Sequence, residues 1–298
     1  MASFLLLLVC LLLGALIAHL GRPPEGLAKH LNWWVIYIAL PATILEIIPH
    51  LKFDASLWFL AASIWLIFLG TWLVFHRLGT WLNWSRNTIG AIVLMAGSCN
   101  SGFVGFPLIE ALRGKEALTY AAIADQLGSF MVINIGGSLV VAWYSGDKID
   151  LRTLTRKTIL FPPFIALLVA FLVALTPGWP ALLEEVLGRI SASLAPLALF
   201  AVGLQLRLKL SGHRVAPFTL GLIWKLALAP LLVFGIGLAL HIKQPILTVA
   251  LLQAAMAPTI AAAILAQQAD LDPPLASMMA GIGILVSFIT VPLWNLLA

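Results

Sequence analysis

Charge is what this 298-residue sequence has least of. Asp, Glu, Lys and Arg together make up 10% of it, where a soluble domain carries about a quarter. That excludes a water-soluble globule, which needs a charged surface around its core. Cysteine is nearly absent too. Cys10 and Cys99 both sit in apolar context with no CxxC or metal-like spacing, which excludes a disulfide framework and a thiolate metal site. No HExxH, GxSxG or Walker A sequence occurs, and neither cysteine has a neighbouring histidine. The chain therefore reads as no enzyme, with no cofactor or metal, and as no ATP-driven pump unless a partner chain supplies the nucleotide site. Long polar linkers are missing as well: "SGDKIDLRTLTRK" (145–157) is the longest connection, so there is no room for a soluble domain.

What is present is apolar. Hydrophobic residues reach 62%, and windows such as "ASLWFLAASIWLIFLGTWLVF" (55–75) and "LASMMAGIGILVSFITVPLWNLLA" (275–298) contain no charge. Each exceeds the ~18–20 residues that cross a bilayer core. The pattern predicts an all-α polytopic membrane protein with ten spans: 2–20, 31–49, 55–76, 87–111, 118–144, 157–176, 184–206, 217–241, 245–267 and 275–297. The first span lacks the basic leader of a cleaved signal peptide and is read as retained.

The basic residues set the orientation. Loops after spans 1, 3, 5, 7 and 9 hold Arg22, Lys29, Arg77, Arg86, Lys148, Arg152, Arg156, Lys157, Arg207, Lys209 and Arg214; the other side holds Lys52, Arg113, Lys115 and Lys243. Positive charge stays cytoplasmic, so both termini are expected outside the cytoplasm, in the cell (inner) membrane. The net charge of +5 is this loop bias and not a nucleic-acid patch. Tryptophans 33, 34, 58, 81, 84 and 179 fit interfacial belts.

One span is interrupted. "GSCNSGFVGFP" (97–107) places glycines, serines, an asparagine and a proline where a membrane helix wants Leu and Ile. A shift of 155 residues lays span 1 on span 6 and Pro41 on Pro196. Near that shift, span 4 falls on span 9, which carries "QAAMAPTIAAAILA" (253–266) with Pro258 and Thr259. The reading is a first five-helix repeat at 1–156 and a second at 157–298. An odd number of spans repeated once inserts upside down, giving inverted repeats with broken helices meeting at the midplane. Gly97, Gly102 and Gly105 permit a break, and Pro107 removes a backbone donor. Asn100, Ser98 and Ser101 can hydrogen-bond the freed groups or a substrate. The half-helix beyond the break would aim its positive end at a carboxylate. A tight small-residue helix contact is the alternative reading of the same motif.

Read together, "CNSGFVGFPL" (99–108), "DQLGSF" (125–130), "LAPLALFAVGLQL" (194–206), "KLALAPLL" (225–232) and "AAMAPTIAAAILAQQADLD" (254–272) resemble the auxin efflux carrier family, and more closely its bacterial members. The resemblance covers essentially the whole chain. It implies ten helices in two inverted repeats with crossing broken helices 4 and 9. It further implies a scaffold of spans 1, 2, 6 and 7 that forms a homodimer, and an elevator-like transport unit of spans 3–5 and 8–10. The implied substrates are small organic anions, auxin in plants and malate-like carboxylates in bacteria. The plant carriers have an asparagine beside the second-crossing proline; here that place reads "MAPTIAA", leaving Asn100 as the one amide and Thr259 as the nearest polar substitute.

Ionisable residues within spans are functional candidates because inserting them costs upwards of ~2.5 kcal/mol. Asp125, followed by Gln126, and Lys225 stand out. As a pair they would lower each other's desolvation cost, and they are read as either a coupling or gating pair or a static lock. Asn100, Ser101, Gln126, Pro258 and Thr259 are the candidate substrate contacts, with Gly102, Gly105 and Pro107 forming the break. Gln205 and Gln253 read as interhelical glue. Glu46, Glu110, Glu184, Glu185 and Arg189, near span ends, read as solvated. The expected function is a secondary transporter of a small carboxylate anion in a lipid bilayer. The alternative is a channel or sensor-like protein on the same fold, disfavoured because polar residues cluster rather than line one helix face.

Overall fold

The computed structural model describes residues 2–21, 23–146, 151–206 and 214–298, with side chains undescribed at Ala2, Ser3, Leu151 and Lys157. Of the loop charges used to orient the chain, Arg22, Lys148, Arg207 and Lys209 lie outside the described residues, as does the side chain of Lys157.

Among the described residues every regular element is helical. The helices are α1 (Ala2–Leu20), α2 (Leu27–His50), α3 (Ala55–Trp81), α4 (Arg86–Gly97), α5 (Phe106–Arg113), α6 (Glu116–Ser145), α7 (Leu151–Ile159), α8 (Pro162–Val173), α9 (Ala181–Gln205), α10 (Val215–Ala239), α11 (Ile246–Ala254), α12 (Ile260–Gln268) and α13 (Pro273–Leu297). Among the described residues seven stretches are long and apolar enough to cross a membrane, counting Arg86–Arg113 as one, and they coincide with seven of the ten predicted spans. The other three predicted spans fall on shorter pieces. Phe4–Leu20 and Pro162–Val173 are apolar but short, and the ninth divides into α11 and α12 around an unwound segment.

Membrane helices here are sheathed in exposed leucine. Leu5, Leu12, Leu16, Leu69, Leu73, Leu172 and Leu296 all present large apolar surface outward, the arrangement expected when lipid replaces water as solvent. The Trp33, Trp34, Trp58 and Trp81 rings are exposed as well.

The chain divides into two compact units. The first comprises Met1–Asp54, Gly102–Ala122 and Thr155–Leu206; the second comprises Ala55–Ser101, Ile123–Leu154 and Arg207–Ala298. In the first unit α1 packs along the Leu194–Gln205 half of α9. Gly14 and Gly203 set that approach: a Cβ on Gly14 would meet the carbonyl oxygen of Phe200, and one on Gly203 would meet that of Leu11. Small residues let membrane helices come this close. Asn32 donates to Gln205 Oε1 at 3.4 Å, so Gln205 is the interhelical link its sequence position suggested.

Glu46 departs from expectation. Only 7% of it is exposed, and its carboxylate pairs with Lys115 Nζ. The reason is Gly188, whose missing side chain leaves room for Glu46 Oε1; a Cβ there would lie 2.6 Å from that oxygen. Glu185 is exposed as predicted and bound to Arg189 at 2.6 Å, while Glu184 is half-buried and bound to His50 at 2.9 Å.

In the second unit α4 is the centre. It packs against α3, α10, α12, α13 and the Gly137–Ser145 end of α6, and every residue from Ile89 to Gly97 is buried. A helix enclosed on all sides needs no polar face, which is why this one is apolar all round. Its start is capped by Ser85, whose hydroxyl accepts from the Thr88 N–H at 3.1 Å. Gly97 abuts Phe68 and Gly90 abuts Tyr144: an added Cβ would lie 3.0 Å from the Phe68 ring and 2.9 Å from Tyr144 Cβ, so a side chain at either makes its neighbour shift.

Among the described residues five stretches wind as π-helix: Val35–Ala39, Ser101–Gly105, Ala124–Phe130, Val132–Gly136 and Trp224–Leu228. Single π turns collect at functional positions in helical proteins. Asp125, Gln126 and Lys225 all lie within them.

Candidate functional site at the helix crossing

Both predicted breaks are present, and the structure brings them together within the second unit. α4 ends at Gly97, and Ser98 continues in extended conformation. α11 ends at Ala254, and the chain resumes helix at Ile260. The Asn100 N–H donates to the Ala257 carbonyl at 2.8 Å. The Thr259 N–H donates to Ser98 Oγ at 3.3 Å. These bonds satisfy backbone groups that would otherwise stand unpaired in a dry interior, at several kcal/mol each. Pro258 lies between them, its ring against the backbone of Gly283, where a Cβ would come within 2.8 Å.

Thr259 is the N-cap of α12, its hydroxyl accepting from the Ala261 N–H at 3.4 Å. It is half-buried, whereas Asn100 is 2% exposed. The Asn100 amide nitrogen, Nδ2, is buried with no hydrogen-bond partner. A buried donor left unmade costs about 1–3 kcal/mol.

A second polar group adjoins the first. Ser101 donates its hydroxyl to Asp125 Oδ1, and Gln126 Nε2 donates to Asp125 Oδ2 at 2.6 Å. Gln126 Oε1 and the Ser129 hydroxyl are buried without partners. Ser129 was not singled out from sequence; a lone serine in an apolar span has no signal of its own, and the π turn that turns it inward has no composition signature. Gly102, Gly105 and Pro107, expected to form the break, lie instead just beyond it in helix: the chain unwinds at Ser98–Asn100, Gly102 and Gly105 fall in the π turn Ser101–Gly105, and Pro107 is in the first turn of α5, where its missing N–H costs nothing.

Asp125 and Lys225 are both buried but do not pair. The carboxylate is bound by Ser101 and Gln126, while Lys225 Nζ donates to Cys99 Sγ at 2.9 Å and to the Ala254 carbonyl at 3.0 Å. The sequence left open whether the two pair; here each has its own separate partners. Span membership places two residues at similar depth but leaves open which way each points. Cys99, read as an ordinary buried cysteine, is one of the lysine's two acceptors.

The unit thus carries two breaks joined by a backbone hydrogen bond and by the Thr259 N–H bond to Ser98 Oγ, an unpartnered amide donor, a capped helix N-terminus and one buried carboxylate with its donors. That arrangement can hold a small polar solute away from lipid.

Comparison with known proteins agrees with the geometry. Over 301 residues, 98% of this chain and 96% of the relative, the sequence is 27% identical to an uncharacterized transporter of Methanothermobacter thermautotrophicus. It is 25% identical over 213 residues, 68% of this chain and 67% of the relative, to an uncharacterized transporter of Methanocaldococcus jannaschii. The model of the membrane transport protein family matches residues 1–295. This is a multi-pass membrane protein, and it belongs to the membrane transport protein family, that of the auxin efflux carriers.

Proposed function

We propose that this transporter is a secondary carrier of a small organic carboxylate, bound at the crossing and moved by alternating access. The observation that carries the reading is the buried, unpartnered Asn100 Nδ2 beside the paired breaks. An amide donor and a helix N-terminus capped by Thr259 suit an anion's oxygens without a full positive charge. Ser101 and Gln126 extend the same polar surface, and Asp125 between them sets its charge state and gates movement.

In this reading α1, α8 and the broken α11–α12 pair complete ten spans, arranged as inverted repeats at 1–156 and 157–298. The matched breaks support it, since corresponding interrupted helices meeting at mid-depth are the mark of that architecture. Spans 1, 2, 6 and 7 form the scaffold of a homodimer, spans 3–5 and 8–10 the elevator, and both termini face outside in a cell (inner) membrane. The Lys and Arg bias of the loops supports the orientation.

The test is uptake by proteoliposomes across a panel of mono- and dicarboxylates. Saturable flux of at least one is expected. Folded protein that neither binds nor moves any of them contradicts the reading.

A further inference from the structure

One short stretch of chain packs away from its sequence neighbours. Ala55–Ser101 before it and Ile123–Leu154 after it belong to the second unit, whereas Gly102–Ala122 belongs to the first. The stretch is a helical hairpin made of α5, a turn and the start of α6. Gly114 makes the turn at φ +81°, a conformation open to glycine. α5 packs against α1 and the Leu194–Gln205 half of α9. Beyond the turn, two polar contacts reach α2. The Thr119 hydroxyl donates to the Ile47 carbonyl at 3.4 Å, and Lys115 Nζ donates to Glu46 Oε1.

In the carrier reading α2 is span 2 of the fixed scaffold, and the hairpin joins spans 4 and 5 of the moving part. His50–Glu184 and Arg189–Glu185 stay within that scaffold and Arg214–Asp272 within the moving part; Glu46–Lys115 joins the two. Three features suit this pair to opening. More than half of the Lys115 side chain is exposed, so its ammonium leaves into water with little desolvation to reverse. Glu46 is fixed from the other side, lodged against Gly188, and its second oxygen, Oε2, is buried without a partner. A permanent buried lock would satisfy both oxygens. Lys115 also has a second carboxylate on its own hairpin. Glu110, in the last turn of α5, is exposed and feels the charge of Lys115 more than that of Glu46.

We propose that the Glu46–Lys115 pair is a latch: closed, it holds the hairpin on α2, and each transport cycle opens it as Lys115 passes from Glu46 to Glu110. The latch rests on the carrier reading above.

Holding the latch shut tests it. Glu46→Cys and Lys115→Cys are combined in the full chain, reconstituted in liposomes and bridged with a short bis-methanethiosulfonate, which a reductant removes. Peptide mass spectrometry locates the bridge. Lys115→Cys alone, treated alike, controls for reaction at Cys10 and Cys99. The probe is whichever mono- or dicarboxylate of the panel wild type moves fastest. Its uptake is expected to stop on bridging, return on reduction and persist in the single-cysteine control. Glu110→Gln, at an exposed position, removes the second partner and keeps the first. Its half-saturating concentration should match wild type while maximal uptake falls about 2- to 5-fold, the worth of an exposed ion pair. Uptake that survives bridging overturns the latch, since the hairpin then stays on α2 throughout. So does failure of the reagent to bridge the folded double variant, because the two positions are then not in contact. Full maximal uptake by Glu110→Gln overturns it as well, and that variant decides alone should the double-cysteine protein not fold. No uptake of any carboxylate by wild type removes the carrier reading and the latch with it, whereas the other adverse outcomes remove the latch and leave the carrier.

Discussion

Asn100 and Ala257, one in each interrupted helix, are joined by a backbone hydrogen bond of 2.8 Å that leaves the Asn100 side chain free. The main chain of this residue holds the crossing together while its amide nitrogen has no structural duty. The two roles predict different losses. Asn100→Ala keeps the backbone bond and removes a donor that was already unpartnered, so the melting temperature should change little. Anion binding should weaken by about 1–3 kcal/mol, the scale of a hydrogen bond to a charged group. Calorimetric titration beside a thermal melt separates the two.

Asp125 predicts a graded series. Asp125→Asn retains an oxygen to accept from Ser101, so folded protein should be recovered while transport falls. Asp125→Ala strands the Ser101 hydroxyl and the Gln126 amide in a dry interior and should cost about 2–4 kcal/mol more stability. Detergent-solubilised melts and liposome flux on both variants check this. Normal transport by Asp125→Asn would reduce the carboxylate to a structural part.

The α1–α9 approach predicts opposite signs at three glycines. Gly14→Ala and Gly203→Ala drive a methyl into facing carbonyl oxygens and should each destabilise by about 1–3 kcal/mol. Gly235→Ala, in α10 with nothing near its missing side chain, should be neutral or gain about 0.5–1 kcal/mol from helix propensity. Melting curves of the three single variants suffice.

Glu46 and Lys115 predict recovery by a second change. Lys115→Met leaves a buried carboxylate without its cation. The lysine side chain is 53% exposed, so the loss should be about 1–3 kcal/mol rather than that of a fully enclosed pair. Adding Glu46→Gln removes the stranded charge and should restore most of it.

The crossing could be read from sequence because its residues are costly in lipid. Asn100, Ser101 and Pro258 have no reason to interrupt apolar spans unless something is built there, and each of them is found at or beside a break, whereas Pro107 starts the helix that follows. Residues whose roles depend on rotation about a helix axis could not be read so. Asp125 and Lys225 are the eighth and ninth residues of their predicted spans, yet Lys225 turns to Cys99 and Ala254 and Asp125 to Ser101 and Gln126. The π turns that aim them come from one extra residue per turn, which any sequence can supply when packing demands it. Glu46 was misread as solvated for a related reason: its burial depends on a glycine 142 positions away, Gly188, which is next to it only in the folded chain.

The central claim is that Asn100 holds a carboxylate that the protein carries across the membrane. Uptake of a radiolabelled carboxylate into proteoliposomes, measured for wild type and Asn100→Ala over a range of concentrations, tests it most directly. The account predicts saturable uptake by wild type, and for the variant a half-saturating concentration raised about 5- to 150-fold, the equivalent of 1–3 kcal/mol. Equal half-saturation in both proteins would contradict it and move the site away from the crossing.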